Sequence, residues 1–246
     1  MNNDPIRVLI IGHSGRMGVI LRDELLDRGH IFVQGIDDKN TAEIHEDVQV
    51  CLDFSIPGAL NAYLPKLIER KIPVVCGTTG LSDEHLKEID KASEHIPILL
   101  ATNFSLGMNT LLFLVREAAA ILKGQAEVEI TETHHRYKKD APSGTAITLA
   151  TEVMKGMENV TKLMPGRKGT NLERMDEIGM HSLRGGTIFG EHNVHMFLDS
   201  EELIFTHRVG DRGVFGEGAV SVMPYIIGKE PGIYSIRDYL TEMIEE

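Results

Sequence analysis

The segment Glu132–Ala146 concentrates the side chains that could carry out chemistry. His134 and His135 are adjacent in it, and Lys138 follows four residues after the first histidine. Histidine exchanges a proton near neutral pH, and lysine adds a mobile positive charge with three N–H donors. An enzyme that reduces a small, negatively charged, imine-like substrate needs these residue types.

The same segment contains a predicted helix start. Pro142 is expected in the first turn, Ser143 is a candidate cap, and a helical pattern continues from Gly144 to Met154. The first N–H groups of a helix have no partner inside the helix, so they form a natural site for an anion. We therefore expect the N–H groups of Ser143, Gly144 and Thr145 to hold a carboxylate. An ordinary helix start is the alternative.

An alternating strand is predicted just before the histidine pair. Between residues 126 and 133, Val128 and Ile130 fall on one face and polar residues fall on the other. If the strand continues through His134 and His135, their side chains point to opposite faces, and at most one faces a given pocket. A purely structural histidine pair is the alternative, but the nearby lysine and the nucleotide motif described below favour a functional role.

Metal binding is another possible use of the histidines. Their spacing gives no convincing set of ligands, no cysteine joins them, and no H-E-x-x-H motif occurs. We therefore expect no metal. The histidines considered are His134, His135, His192, His195 and His207.

The composition excludes several classes of protein. The net charge of −12 over 246 residues argues against nucleic acid as a partner. No run of 18 apolar residues occurs, so we expect no membrane span. Cys51 and Cys76 lie in apolar, strand-like runs, which predicts buried thiols in a reducing compartment, and hence the cytoplasm.

A glycine-rich turn near the start of the chain predicts dinucleotide binding. An apolar run over residues 6–11 is followed by three glycines spaced G-x-x-G-x-x-G, a helical pattern, and a second strand that ends in an acid. In such a unit the glycines allow a tight turn, close approach of the pyrophosphate and close helix packing, and the acid accepts hydrogen bonds from the ribose. A turn without a ligand is the alternative. The predicted contacts here are Gly12, His13, Ser14, Gly15, Arg16, Met17 and Asp37.

Further α/β units follow up to residue 104. Ligands of an open parallel sheet bind at the carboxyl ends of its strands, and three successive predicted strands end in polar or aromatic residues. We expect these ends to form one edge of a nicotinamide pocket. The residues concerned are Phe54, Gly77, Thr78, Thr79, Ala101, Thr102, Asn103 and Phe104.

The remainder predicts a second, α+β domain with an open mixed sheet. A helix from Leu106 to Leu122 is too apolar on most sides to be exposed, and a looser stretch runs from about residue 155 to 180. Two strands around a turn at residues 199–201 are typical of a hairpin, and Val214–Ile227 and Ile236–Ile244 are predicted to be helices. Segments 104–107 and 211–216 are interpreted as hinge strands. The predicted division is residues 1–104 and 216–246 for a Rossmann-type, doubly wound dinucleotide-binding domain, and residues 105–215 for a substrate-binding domain.

Several motifs together resemble the 4-hydroxy-tetrahydrodipicolinate reductase family, formerly called dihydrodipicolinate reductase. The H-H-x-x-K motif combined with D-A-P-S-G-T-A is highly specific for it. The matching pieces span nearly the whole chain: Gly12–Gly18, Gly77–Gly80, Asn103–Gly107, His134–Lys138, Asp140–Ala146, Arg184–Gly186 and Gly190–His192.

The resemblance implies a reaction and a role for each matching residue. Hydride passes from a nicotinamide to ring C4 of a cyclic dicarboxylate imine that loses its 4-hydroxyl as water. His134 matches the proton donor and Lys138 the cation beside the ring nitrogen. The residues that match the substrate carboxylate site are His135, Ser143, Gly144 and Thr145, and Thr79 matches a position near both ligands. The resemblance also implies a homotetramer assembled through the sheets of the substrate domain.

One departure from the family pattern predicts the cofactor. Family members that accept NADPH well often carry arginine directly after the ribose-binding acid, which here is Asp37 instead of the usual glutamate; the next residue here is Asp38. A second carboxylate repels a 2′-phosphate, so we expect a preference for NADH, with NADPH possible because Lys39 and Arg16 soften the repulsion. Two rivals stay open: another two-domain nicotinamide-dependent dehydrogenase, and a nucleotide-sensing protein without turnover.

Overall fold

The computed structural model describes residues 4–37, 42–158, 160, 162–170 and 172–245. The chain folds into two compact units, Met1–Leu106 with Gly213–Glu246, and Gly107–Arg212. The strands, in chain order, are β1 (Arg7–Ile11), β2 (Ile31–Ile36), β3 (Val50–Asp53), β4 (Val74–Cys76), β5 (Pro97–Leu100), β6 (Glu127–His134), β7 (Lys162–Pro165), β8 (Glu177–Arg184), β9 (Gly190–Phe197), β10 (Glu202–Val209) and β11 (Gly232–Tyr234). The helices are α1 (Arg16–Asp27), α2 (Ala59–Glu69), α3 (Asp83–Ser93), α4 (Leu106–Ile121), α5 (Gly144–Met157), α6 (Gly213–Ser221), α7 (Met223–Ile227) and α8 (Ile236–Glu245).

The first unit is a doubly wound parallel sheet, as predicted. Its strands lie in the order β11-β5-β4-β3-β1-β2, and each neighbouring pair is parallel. Side chains alternate between two cores, so that Leu9 packs with α2 and α3 on one face while Val8 packs with α1, α6 and α7 on the other. Parallel strands covered on both faces are apolar over nearly their whole length, and all four residues of β3, including Asp53 at its end, are buried.

The second unit contains an open mixed sheet, also as predicted, and its helices pack on one face of that sheet. Its strands lie in the order β10-β9-β6-β8-β7, where β6 is parallel to β8 and antiparallel to β9. Val128 and Ile130 of β6 face α4 and α5 in the core. The alternation of buried and half-buried residues along β6 follows from the two-residue period of a strand. This strand therefore leads directly to the chemistry-bearing segment.

Three of the predicted elements are wrong in detail. Helix α4 has a single buried face, because only every third or fourth residue is buried, and Leu114 and Ile121 on it are 46% and 75% exposed. The two predicted hinge strands do not form, since Leu106 begins α4 and Gly213 begins α6. Gly216 in α6 serves helix packing, because a Cβ there would lie 2.7 Å from Cγ2 of Ile20 in α1.

The other differences concern boundaries. The predicted helix Val214–Ile227 is two helices, α6 and α7, and Pro224 stands at the beginning of the second, where its missing N–H has no effect on helix bonding. The looser stretch holds the strand β7, and the predicted hairpin is formed by β9 and β10. No helix of the described ranges is long and apolar enough to cross a bilayer.

Candidate active site

The glycine turn after β1 requires its glycines. Gly12 has a φ of +87°, and a Cβ there would lie 2.6 Å from the carbonyl oxygen of Phe54. A Cβ at Gly18 would lie 2.2 Å from the carbonyl oxygen of Gly12. The turn therefore lies tight against both the next strand end and the start of α1. Such a cradle suits close approach of a pyrophosphate to the backbone.

Asp37, at the end of β2, is held by this turn. Its Oδ1 accepts a hydrogen bond from the amide of Ser14 at 2.9 Å, and its Oδ2 lies 3.0 Å from Nε2 of His13. Burial raises the pKa of Asp37, but the hydrogen bonds from Ser14 and the charge of His13 outweigh burial and lower the pKa. The carboxylate is therefore ionised and able to accept hydrogen bonds from a ribose.

The strand ends and the turn enclose one cavity of about 560 Å³. All the predicted cofactor residues line it except Ala101 and His13, and His13 is paired with Asp37. Ser55, Ile56 and Phe215 line it as well. Nothing in the sequence pointed to Phe215, because it reaches the cavity from α6, more than a hundred residues beyond the other lining residues. Thr79, predicted near both ligands, is an exposed part of this lining.

Aromatic packing shapes the edge of this cavity. The ring of Phe54 lies so close to Gly77 that a Cβ there would be 2.2 Å from it. The ring centroids of Phe54 and Phe104 are 5.0 Å apart. The two rings are tilted by 54° to each other and form an apolar part of the cavity wall, and a largely apolar lining is typical of cofactor pockets.

A buried polar cluster supports the same strand ends, and no motif in the sequence indicated it. Asp53, at the end of β3, is fully buried; it accepts a hydrogen bond from the hydroxyl of Ser55 and lies 3.3 Å from Sγ of Cys76. The amide of Ser55 donates to Oγ1 of Thr78 at 2.8 Å, which ties two loops of the cavity together. Burial raises the pKa of Asp53. Cys51 and Cys76 are buried free thiols, as predicted.

In the second unit, β6 ends at the first histidine. Glu132 and His134 are buried, on the same face as Ile130, because the strand alternates. His135 lies beyond the strand and is half-buried, and its Nδ1 accepts a hydrogen bond from the amide of Tyr137 at 3.2 Å. The strand therefore does not continue through both histidines, and the prediction that their side chains point to opposite faces of the sheet does not apply.

Glu132 links several residues of this site through hydrogen bonds, and no role was assigned to it from the sequence. Its carboxylate lies 2.5 Å from Nδ1 of His134 and receives both Nη atoms of Arg184 at 2.7 and 2.8 Å. Burial raises the pKa of Glu132, but hydrogen bonds from Arg184, Ser182 and His134 outweigh burial and lower the pKa to about 2. The signal available in the sequence was the two-residue spacing, which puts Glu132 and His134 on one face.

Ser143 caps α5 but differs from the expectation. Its Oγ accepts a hydrogen bond from the amide of Ala146 at 3.2 Å and pairs with Nε2 of His192 at 3.0 Å. Its own N–H donates to Glu132 at 3.2 Å, so the prediction that this N–H is free for a carboxylate is wrong. Pro142 precedes the cap instead of lying in the first turn.

Two of the three residues predicted to bind an anion are placed as expected, at the start of α5. Gly144 and Thr145 are the first two residues of α5, and helix geometry gives their N–H groups no acceptor inside the helix. Lys138 lies nearby in sequence, and its ammonium pairs with Oδ2 of Asp140 at 2.9 Å. Its amide donates to the carbonyl of His135 at 3.1 Å, which closes a turn after the strand.

The ring of His134 lies among charged and aromatic neighbours. Its centroid is 5.1 Å from that of His192, in an edge-to-face arrangement. Burial lowers the pKa of His134, while Glu132 acts in the opposite direction. Burial and the charge of His134 lower the pKa of His192 to about 4. His192 therefore stays neutral at pH 7.

Metal ligation finds no support among the residues that the structure describes, where no group of three or more His, Cys, Asp or Glu side chains could hold an ion. Of the five histidines considered, His134 and His192 are brought together through ring contact. His195 instead pairs with Oε1 of Glu202 at 2.6 Å.

Comparison with known proteins gives matches over both units. Residues 6–104 match the family model described as dihydrodipicolinate reductase, N-terminus, and residues 107–240 match the one described as dihydrodipicolinate reductase, C-terminus. A protein of Alkaliphilus metalliredigens named 4-hydroxy-tetrahydrodipicolinate reductase is 39% identical over 237 residues, which cover 96% of this chain and 99% of that protein. One of the same name from Caldanaerobacter subterraneus subsp. tengcongensis is 39% identical over 245 residues, covering 95% and 97%.

A solved structure has the same fold. Dihydrodipicolinate reductase from Paenisporosarcina sp. TG-14, with dipicolinate bound, is 22% identical and has a TM-score of 0.76, over 96% of this chain and 99% of that one.

Proposed function

This chain belongs to the dihydrodipicolinate reductase family, and we propose that it reduces 4-hydroxy-tetrahydrodipicolinate to tetrahydrodipicolinate with a nicotinamide cofactor, in lysine and diaminopimelate biosynthesis. The observation that carries this proposal is the 39% identity to reductases of that name over almost the entire chain. One hydride and one proton enter the substrate, the 4-hydroxyl leaves as water, and the cofactor is oxidised.

Cofactor binding is assigned to the first unit. The cradle made by Gly12 and Gly18, which a Cβ would fill, and the ionised Asp37 fit a dinucleotide. When bound, the cofactor supplies the hydride, and the protein binds and orients it. The rings of Phe54 and Phe104 and the hydroxyls of Thr78 and Thr79 would hold the nicotinamide end. This assignment extends to the other predicted residues that line the cavity, with His13 acting through Asp37.

Substrate binding is assigned to the second unit. The N–H groups of Gly144 and Thr145 at the positive end of α5 would hold one carboxylate of the substrate. His135 would assist the carboxylates, and Ser143 would contribute by capping the helix. The ammonium of Lys138 would leave Asp140 for the substrate and stabilise negative charge that develops at the ring nitrogen.

His134 is the candidate general acid. Its Nδ1 is occupied by Glu132, so Nε2 is the atom that can give a proton to the reduced substrate. A dianionic substrate beside the ring favours the imidazolium form, which opposes the effect of burial. Such general acid help contributes about 10²–10⁴-fold to rate.

The cofactor preference is proposed to be for NADH, with NADPH accepted less well. Asp37 is ionised and lines the cavity, and a carboxylate there repels a 2′-phosphate. Arg16 lines the same cavity and softens that repulsion. Asp38 and Lys39, on which the prediction from the sequence also depended, lie outside the described residues.

Assembly is proposed to be a homotetramer through the helix-free face of the mixed sheet, in the cytoplasm. That face carries partly exposed apolar residues near its hairpin edge: Phe197 and Ile204 are 39% and 49% exposed. The two free thiols support a reducing compartment.

The test of the proposed function is a coupled assay. Pyruvate and aspartate semialdehyde are combined by the preceding synthase to make the substrate in situ, and absorbance at 340 nm is followed with NADH and NADPH in parallel. We expect oxidation that requires the synthase product and is faster with NADH. Folded protein that binds NADH but shows no oxidation would overturn the substrate assignment and favour another dehydrogenase or a nucleotide-sensing protein.

A further inference from the structure

The carboxylate of Glu132 has several polar partners, and two of them belong to the proposed substrate site. It is 1% exposed, and its two oxygens receive Arg184, His134 and the amide of Ser143. One carboxylate therefore touches both the candidate acid and the cap of the helix that would bind the substrate.

The arrangement determines which nitrogen of His134 carries a proton. An ionised carboxylate only accepts hydrogen bonds, so Nδ1 of His134, 2.5 Å from Oε2, must be the donor. In the neutral ring, Nε2 then has the free lone pair, and in the charged ring it has the transferable proton. Nε2 faces Gly190, where a Cβ would lie 3.0 Å away.

The partner of Glu132 extends the network to the candidate cation. Nη2 of Arg184 also donates to the carbonyl oxygen of Asp140 at 2.5 Å. The side chain of Asp140 pairs with Lys138. The Glu132–Arg184 ion pair thus contacts, directly or through one residue, the acid, the helix cap and the cation.

We propose that Glu132 is a positioning residue of the reductase, which holds His134 with its proton on Nδ1 so that Nε2 faces the substrate, and which orients Ser143 and, through Arg184, Lys138. This inference rests on the proposed function. Glu132 itself acts through its neighbours, and no step of the reaction is assigned to its carboxylate.

The positioning role predicts a change in pH dependence when the charge of Glu132 is removed. Around His134 lie Glu132 on β6, Arg184 on β8, His192 on β9 and Lys138 in the following turn. Glu132 is the negatively charged member of this set, so removing its charge lowers the pKa of His134. The imidazolium form, which is the acid, is then lost at a lower pH.

The strand also supplies a matched control. Glu129 lies on the opposite face of β6 and has the same kinds of partner: Arg167 at 2.8 Å, Arg174, and His181 at 2.6 Å. Its pKa is likewise lowered to about 2, because hydrogen bonds from His181 and the arginines outweigh the effect of burial. Glu129→Gln therefore removes a carboxylate charge with equivalent partners, and Glu129 does not contact the candidate acid.

The experiment compares Glu132→Gln, Glu129→Gln and the wild type for kcat against pH, for NADH binding, and for oligomeric state by light scattering. For Glu132→Gln we expect kcat to fall at least about tenfold and the alkaline limb of the profile to move to lower pH. NADH affinity should change less than about twofold. Glu129→Gln should keep the wild-type profile. A Glu132→Gln profile that coincides with that of Glu129→Gln overturns the inference.

A second measurement does not depend on activity or on a folded variant. Nitrogen-15 NMR of the wild-type imidazoles reports which ring nitrogen is protonated in neutral His134. We expect protonated Nδ1 and unprotonated Nε2; the reverse tautomer overturns the inference. If the wild type oxidises no cofactor in the coupled assay, the proposed function fails, and the tautomer still decides whether Glu132 orients His134.

Discussion

Gly190 of β9 leaves open the space in front of Nε2 of His134. A Cβ at this glycine would lie 3.0 Å from that nitrogen and 3.4 Å from Cδ2 of the same ring. The distance to Nε2 is tighter than an ordinary contact, so a methyl group would shift the ring by a few tenths of an ångström or occupy the place of a proton acceptor.

Gly190→Ala is therefore expected to reduce kcat at least about tenfold, a part of the 10²–10⁴-fold that general acid catalysis contributes. NADH binding should stay as in the wild type, because the cofactor residues lie in the first unit. The measurement is a steady-state assay with a fluorescence titration of NADH. Gly210→Ala is the control, since a Cβ there meets nothing within 4 Å. Equal kcat values for the two variants would contradict the role assigned to Nε2.

Lys138 and Lys139 are adjacent and allow a matched pair of variants. Lys138 is half-buried and paired with Asp140, whereas Lys139 is exposed. Lys138→Ala should lower kcat/KM about 10²-fold or more, because a fixed cation that stabilises developing charge contributes at least that amount. Lys139→Ala should change kcat/KM less than about twofold. A similar loss in both variants would show that general positive charge, rather than Lys138, is responsible.

Asp37 is expected to determine affinity for the adenosine ribose. Asp37→Asn removes the charge that accepts the hydrogen bonds, and a hydrogen bond to a charged group contributes about 1.5–3 kcal/mol. The Kd for NADH should therefore rise about tenfold or more, while the Kd for NADPH rises less because a repulsive charge is also removed. Isothermal titration with both cofactors measures this. Asp27→Asn, on the exposed end of α1, is the control. Parallel changes for the two cofactors would contradict the predicted preference for NADH.

His192 should make the protein less stable in mild acid. Its pKa is lowered from 6.5 to about 4, first by burial and then by the charge of His134. Between these two pH values the unfolded state binds the proton more readily, so stability increases as pH rises through the window and decreases on acidification. From pH 7 to pH 5 this one residue should remove about 2 kcal/mol from the free energy of unfolding.

Urea unfolding at the two pH values measures that loss. His192→Asn should lose about 2 kcal/mol less than the wild type between pH 7 and pH 5, whatever its stability at pH 7. The exposed His95→Asn variant should lose as much as the wild type. An unchanged pH dependence in His192→Asn would mean that His192 is charged in the folded state.

Local patterns were sufficient to predict the glycine turn after β1 and the acid that lies beside it. The spacing of the three glycines, the apolar run before them and the acid at the end of β2 all lie within about thirty residues. The conformation of such a turn depends on neighbouring residues and on positions where a side chain does not fit, as at Gly12 and Gly18. Phe215 is different, because α6 brings it to the cavity from the far end of the chain.

The hydrogen-bond partners within segment 132–146 depend on the mixed sheet and could not be predicted from the sequence of that segment alone. The sequence alone placed His134, Lys138 and the helix start together, since they lie within a dozen residues and their chemistry follows from residue type. The pairing of β6 with β8 determines which of these groups already have hydrogen-bond partners. It puts Arg184 beside His134 at the strand end, within reach of Glu132. A buried carboxylate must be satisfied by whatever donors the fold brings to it. For this reason Glu132 accepts hydrogen bonds from the N–H of Ser143 and from Nδ1 of His134. The network cannot be predicted from the local sequence, because Glu132 and Arg184 are about fifty positions apart.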